Sequence, residues 1–224
     1  MKPFYDSDGI TIYHADCADV IPSVPPDDVG LLLTDPPYGI GWKAPTSGGT
    51  MTVAGKYKYK TRGSAITTPV VGDDTPFRLA PLLAFPRVVA FGANHFQHPP
   101  GGLIIWDKTG GGKARTFMPG AEVAWTNIVT GCHIYHQMWA GAYRDHGDRE
   151  WNLRVHPTQK PTALMRWVVE KWTKPGDLIF DPYMGSGPIA QACYELGRRY
   201  IGVEIVEEYC EAAVTRLAQQ VLPL

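Results

Sequence analysis

The chain predicts an α/β domain built on a doubly wound, mostly parallel sheet, and three features of its 224 residues carry that prediction. Short apolar runs alternate with helical stripes, the pattern made when helices cover both faces of a parallel sheet. Two of the runs end directly in loops of proline, glycine and acidic residues, at Asp35-Pro36-Pro37-Tyr38 and at Asp181-Pro182-Tyr183-Met184-Gly185-Ser186-Gly187. No internal repeat or linker divides the chain, and its length suits one compact domain with a full core.

The elements follow in order. Ile10-Thr11-Ile12-Tyr13-His14 alternates as a half-buried strand and ends before Asp16. Residues 29–34 form an apolar run and read as a buried parallel strand. Residues 41–72 are rich in Gly, Thr and Lys without any period, and read as a long mobile loop. Thr75-Pro76 offers an N-cap and a first-turn proline for a short helix over 77–83. Strands are expected at 88–91 and 103–106, and at 123–125, which pairs back into the sheet; residues 130–155 read as irregular. Leu164, Trp167, Val168 and Trp172 give a helical stripe over 162–174. Pro175-Gly176-Asp177 then turns the chain into a strand at 178–180. A helix over 189–196, a strand over 200–204 and a last helix with Cys210, Ala213, Val214, Leu217 and Val221 on one face complete the alternation.

Composition narrows the function classes. No stretch is long and apolar enough to span a membrane, and Met1-Lys2-Pro3-Phe4-Tyr5-Asp6 is not a signal peptide. Cys17, Cys132, Cys193 and Cys210 are scattered, which argues for reduced thiols in the cytoplasm over disulfides or zinc. His133 and His136 lack partners at metal-ligand spacing, so no metal is expected. Net charge is −1, yet its distribution is uneven. Lys43, Lys56, Lys58, Lys60 and Arg62 stand in a stretch without an acid, and Lys108, Lys113 and Arg115 surround a triple glycine. Both groups suit phosphate contact, with a solvated loop as the plainer reading.

The two loops carry the chemistry. Consecutive prolines stiffen the backbone after Asp35 and remove two donors, so the Asp35 and Pro36 carbonyls can face a cleft beside a carboxylate and the Tyr38 ring. That set suits an amino group on a nucleobase, with acceptors for its hydrogens and a π face for its ring. A strand-ending turn would use the same residue types. Gly185 and Gly187 let a ligand approach the backbone at a helix start, and Glu204 ends the next strand, where an acid commonly accepts from ribose hydroxyls. Ala190 stands at the third glycine place of a dinucleotide loop and no Gly-Lys-Ser/Thr follows. A cofactor with an adenosine and a carboxylate, but no pyrophosphate, fits best. His156-Pro157-Thr158-Gln159-Lys160-Pro161 is a stiff polar segment just before the helix at 162–174.

In this order, DPPY, HPTQKP, DPYMGSG and the acidic strand end, the chain resembles the β class of DNA amino-methyltransferases, in the compact form of phage and prophage members. Asp16 after Ala15, Phe91-Gly92-Ala93-Asn94, Trp106-Asp107-Lys108 and the tail from Gly197 to Glu204 add to the match. The resemblance implies a Rossmann-like, mostly parallel seven-stranded sheet with one antiparallel strand. It implies a single domain over 1–224, with a DNA-contact loop at 41–72 and a small target-recognition region at 108–155. S-adenosylmethionine is the implied methyl donor and N6 of adenine the implied acceptor, since Asp stands first in the tetrapeptide. The alternatives are cytosine N4 and a catalytically weak DNA-binding relative. Asp35, Pro36, Pro37 and Tyr38 are the implied catalytic set. Asp16, Cys17, Thr158, Gln159, Lys160, Asp181, Tyr183, Gly185, Ser186, Gly187 and Glu204 are implied around the cofactor. The implied partner is double-stranded DNA with its target base flipped out, in a restriction-modification or phage setting, with no membrane or metal and with a homodimer left open. Pro188 departs from a common Thr and removes a hydroxyl and an amide donor beside the cofactor, while Tyr183 replaces a usual Phe.

Overall fold

Tyr5-Asp6-Ser7 turns back on Ile10–His14 through Asp8 and Gly9, both at positive φ (52° and 78°). Asp-Gly in that conformation is the turn whose twist matches a β-hairpin. This hairpin opens a computed structural model that describes residues 1–41, 52–53, 57–58, 70–113, 119–140, 143–144 and 159–218, with 52–53, 57–58, 140 and 143–144 described by backbone alone. The first half contains β1 (Tyr5–Ser7), β2 (Ile10–His14), α1 (Cys17–Val20), β3 (Leu31–Thr34), β4 (Thr52–Val53), β5 (Tyr57–Lys58) and β6 (Val88–Phe91). Next come β7 (Gly102–Asp107), β8 (Ala121–Thr126), β9 (Cys132–His136), β10 (Trp139–Ala140) and β11 (Tyr143–Arg144). The chain then runs through α2 (Thr162–Trp172), β12 (Leu178–Asp181), α3 (Pro188–Glu195), β13 (Arg199–Glu204) and α4 (Glu207–Ala218).

Among the described residues the main sheet has nine strands in the order β1-β2-β13-β12-β3-β6-β8-β7-β9. All run one way except β1 and β8, whose pairings are antiparallel. The doubly wound, mostly parallel class is as expected, but the count of seven strands with one antiparallel is corrected to nine with two. β1 and β9 make the difference. β1 was hidden because a three-residue strand carries too little periodicity. β9 falls in the stretch read as irregular: it alternates exposed with half-buried residues at the sheet edge, so its inward side is Tyr and His, not aliphatic. A second correction concerns 77–83. The helix there is only a 3₁₀ turn, Ala80–Ala84, because Pro81 lacks an amide hydrogen and disfavours the α conformation at Ala80.

Strand alternation divides the core between the two faces. Leu31, Leu33, Val89 and Phe91 pack with Leu164, Val168, Ile189, Cys193, Ala213 and Leu217 from α2, α3 and α4. Leu32, Val88, Ala90 and Phe180 face the other side and meet Val20, Leu79, Leu82 and Phe85 from short turns. Each fully buried Leu or Phe contributes about 2 kcal/mol. Arg198, buried behind the sheet, donates to the Thr173 and Leu196 carbonyls after α2 and α3 and so satisfies two helix ends. From β12 the chain winds to β13 on one side; from β3 it winds to β6 on the other. The switch point therefore lies between β3 and β12, where α/β sheets bind ligands.

Candidate active site

β3 and β12 pair in parallel, Leu32 against Phe180, so Asp35-Pro36-Pro37-Tyr38 and the Pro182–Gly187 loop leave the sheet side by side. Thr34 Oγ1 donates to Asp181 Oδ1 at 2.9 Å and ties the two strand ends together. Asp73 accepts from the backbone N–H groups of Gly39 (2.8 Å) and Ile40 (3.3 Å), which fixes the chain leaving the tetrapeptide. A cavity of about 1020 Å³ opens over both loops, with Asp16, Asp35, Tyr38, Lys160, Tyr183 and Glu204 among its walls. That volume is at the upper end for small-ligand sites.

Tyr38 Oη donates to Asp35 Oδ1 at 2.6 Å, and its ring stacks on His95 with centroids 5.0 Å apart. The ring also lies directly over Gly92, at φ 83°; a Cβ there would stand 2.1 Å from the Tyr38 ring. Glycine at the end of β6 is thus what lets Tyr38 reach Asp35. Burial raises the Asp35 carboxyl above its usual range, opposed by Lys160 and Tyr38. Burial and the Asp35 charge push the Tyr38 phenol well above its ordinary value, so it donates and does not ionise.

Lys160, only 4% exposed, donates to Asp35 Oδ2 at 2.6 Å and to Tyr38 Oη at 3.0 Å. Its Nζ also lies 3.2 Å from Glu122 Oε2, and Lys108 Nζ donates to Glu122 Oε1 at 2.7 Å. The result is an alternating chain: Asp35, Lys160, Glu122, Lys108. Burial alone would depress the lysine and raise the glutamate. The neighbouring opposite charges outweigh it, lifting Lys160 well above its usual value and holding Glu122 down at about 2. Lys160 and Glu122 are therefore both charged at neutral pH.

On the other side of the cavity, Glu204 closes β13 and its carboxylate accepts from Gly185 N–H (2.8 Å) and Val206 N–H (2.9 Å). Burial raises it above its normal range, against those backbone donors. Asp16 is exposed and caps α1 by accepting from Ala18 N–H at 2.9 Å. Cys17 and Tyr183 both line the cavity, and burial raises both groups. Phe77 meets Tyr183 edge-on at 5.8 Å. Ser186 Oγ donates to Gln159 Oε1 at 3.3 Å, joining the glycine loop to the segment before α2. Two carboxylates beside apolar and aromatic walls fit the hydroxyls, amine and ring of an adenosine.

Asp181 is fully buried, with its carboxylate turned into the sheet. It accepts from Thr34, from Tyr183 N–H (3.2 Å) and from Tyr200 Oη (3.0 Å), and burial raises it to about 7. Neither Asp181 nor Gly187 is part of the cavity wall. Of the residues expected at DNA, Lys113 is exposed, whereas Lys108 is 12% exposed and committed to Glu122. Thr158, Lys43, Lys56, Lys60, Arg62 and Arg115 lie outside the described residues, as does the Lys58 side chain. Among the described residues no cluster of His, Cys, Asp and Glu could hold a metal ion, and no helix is long and apolar enough to cross a membrane.

Three residues at the site escaped the sequence reading. Glu122 is a single acid in the strand AEVAWT, and that isolation was its signal. Arg216 is buried under the glycine loop, donating to Ser186 O (3.1 Å) and Gln191 Oε1 (3.1 Å); its signal was its place beside Ala213 and Leu217 on the apolar face of the last helix. His95 had none, because its ring meets Tyr38 only through the fold.

Residues 129–215 match the family model described as DNA methylase of the N6/N4 type. Along 254 aligned residues the chain is 25% identical to the type II methyltransferase M2.LlaDCHI of Lactococcus lactis subsp. cremoris, covering 96% of this chain and 92% of that protein. The same values hold for the type II methyltransferase M2.DpnII of Streptococcus pneumoniae. The fold is shared with the PvuII DNA methyltransferase, a cytosine-N4-specific enzyme (TM-score 0.60, 14% identity, 99% of this chain and 91% of that one). It is shared also with M1.HpyAVI in its SAM complex (TM-score 0.54, 22% identity, 93% and 100%). The chain is thus similar to the DNA methylase family over residues 129–215 and to type II methyltransferases along nearly its whole length, and it shares the fold of solved DNA methyltransferases.

Proposed function

We propose that the protein transfers the methyl group of S-adenosylmethionine to the N6 amino group of adenine in double-stranded DNA. The observation that carries this reading is the single cavity in which Asp35 and Glu204 stand on opposite sides of the glycine loop. Glu204 and Asp16 offer acceptors for the ribose hydroxyls and the adenine amine of the cofactor, with Cys17, Tyr183, Gly185 and Ser186 around them. Gln159 and Lys160 brace the site from the α2 side. The cofactor, when bound, supplies an electrophilic methyl on a sulfonium.

An aromatic amine is a weak nucleophile because its lone pair is delocalised into the ring. Acceptors at the Asp35 carboxylate and the Pro36 carbonyl favour a pyramidal nitrogen with the lone pair directed at the methyl group. Catalysis is then mainly positioning and electrostatics. The base leaves the duplex to reach them and stacks on Tyr38. Lys43, Lys56, Lys58, Lys60 and Arg62 of the 41–72 loop contact phosphates, with Lys113 and Arg115, and residues 108–155 read the target sequence. Asp at the head of the tetrapeptide favours adenine over cytosine. This activity would be exercised in the cytoplasm, within a restriction-modification or phage setting.

The test is incubation with labelled S-adenosylmethionine and unmethylated duplex DNA, followed by digestion and identification of the nucleoside. N6-methyladenine is expected, and Asp35→Ala should abolish it. N4-methylcytosine would select the other amino group. No label in DNA, or label untouched by Asp35→Ala, would overturn the reading.

A further inference from the structure

The chain of charges beside the target site has one irregular member. Lys160 Nζ makes short bonds to Asp35 Oδ2 (2.6 Å) and Tyr38 Oη (3.0 Å), yet faces Glu122 Oε2 at 3.2 Å without the alignment of a hydrogen bond. That oxygen is buried and has no hydrogen-bond partner among the described residues, although Oε1 of the same carboxylate is held by Lys108. Its contact with Lys160 is an ion pair at 3.2 Å that a small movement of the ammonium would turn into a direct hydrogen bond. Meanwhile Asp35, whose carboxylate would accept the target amine, has both oxygens occupied by donors from the protein, Tyr38 on one and Lys160 on the other.

Resting on the methyl-transfer reading above, we propose that Lys160 is a movable counter-ion: it holds Asp35 while the target pocket is empty and shifts onto Glu122 Oε2 when the target amine arrives. Glu122 is then a positioning residue of the reaction, acting through Lys160. The electrostatics favour the shift. As the amine donates its pair to the methyl group, positive charge grows on nitrogen. An ammonium bonded to the same carboxylate opposes that charge, and moving it toward Glu122 weakens the repulsion while leaving Asp35 Oδ2 free to accept. The move is small, because Lys160 Nζ already stands between both carboxylates. Lys108 anchors the receiving carboxylate, so it is Lys160 that moves.

The experiment compares kcat, KM for duplex DNA and Kd for S-adenosylmethionine in the wild type, Glu122→Gln, Lys160→Gln and the double variant. Glu122→Gln keeps the shape but removes the receiving charge, stranding Lys160 on Asp35. kcat should fall about tenfold or more, the scale of one charge-assisted hydrogen bond, with cofactor Kd within twofold of wild type. The double variant should be faster than Glu122→Gln alone, because no ammonium remains on Asp35. A purely structural role would instead make the two losses multiply. Equal kcat in Glu122→Gln and wild type, or a double variant slower than Glu122→Gln, overturns the switch while leaving methyl transfer intact. A wild-type protein that labels no DNA overturns the methyl-transfer reading and the switch with it. If Glu122→Gln does not fold, Glu122→Asp applies the same comparison with the carboxylate withdrawn by one methylene, and kcat equal to wild type there is equally fatal.

Discussion

Gly92→Ala isolates what places Tyr38. The new Cβ would sit 2.1 Å from the Tyr38 ring, so the ring must retreat by roughly 1 Å or more to reach van der Waals contact. Tyr38 Oη now stands 2.6 Å from Asp35 Oδ1, and a retreat of that size breaks the bond, a loss of about 1.5–3 kcal/mol for a charge-assisted pair. Holding a non-glycine residue at φ 83° adds about 1–2 kcal/mol. Together the variant should be destabilised by about 3–5 kcal/mol and melt roughly 10 °C lower. A displacement of about 1 Å at a reacting centre can cost about a hundredfold in rate, so kcat should fall by that order. The control is Gly176→Ala, whose φ of 84° is the same but whose Cβ would meet nothing within 4 Å. It should lose only the backbone portion of about 1–2 kcal/mol and keep its kcat. Melting curves and methyl-transfer rates on both variants check this. Equal melting shifts in the two, with Gly92→Ala at wild-type kcat, would refute the account of Tyr38.

Two further tests address parts of the fold that support the site. Arg216→Met removes the buried guanidinium holding Ser186 O and Gln191; stability should drop by about 2–4 kcal/mol, and cofactor Kd by calorimetry should rise about tenfold, whereas unchanged affinity would detach Arg216 from the loop. Asp181 titrates near 7 when folded against about 3.9 unfolded. Its raised value means the folded state keeps a proton that the unfolded state releases, so stability from this group is full below about pH 4 and lost as pH rises through 7. Chemical denaturation of wild type and Asp181→Asn should therefore show their stability difference moving by up to about 4 kcal/mol in favour of the variant between pH 4 and 7; a difference independent of pH would show that Asp181 is ionised throughout.

Local pattern determined much of this protein. The aliphatic strands at β3, β6 and β12, the helical stripes of α2 and α4 and the two loops at strand ends could be read residue by residue, because periodicity and turn chemistry are properties of neighbouring positions. The helix expected over 77–83 failed on a local rule as well, since Pro81 counted against it. Tertiary structure decided which groups meet. Lys160 lies 125 residues from Asp35 along the chain yet donates to it, and Glu122 and Lys108 join only because β7 and β8 pair with Trp106 opposite Glu122. Asp181 stands at the head of its loop in sequence, like Asp35, yet its carboxylate is taken by Thr34 and Tyr200 from flanking strands, while that of Asp35 opens on the cavity. The same residue type after the same kind of strand thus has two fates. Charge and hydrogen bonding between distant strands select between them, and a linear pattern carries no record of which strands become neighbours.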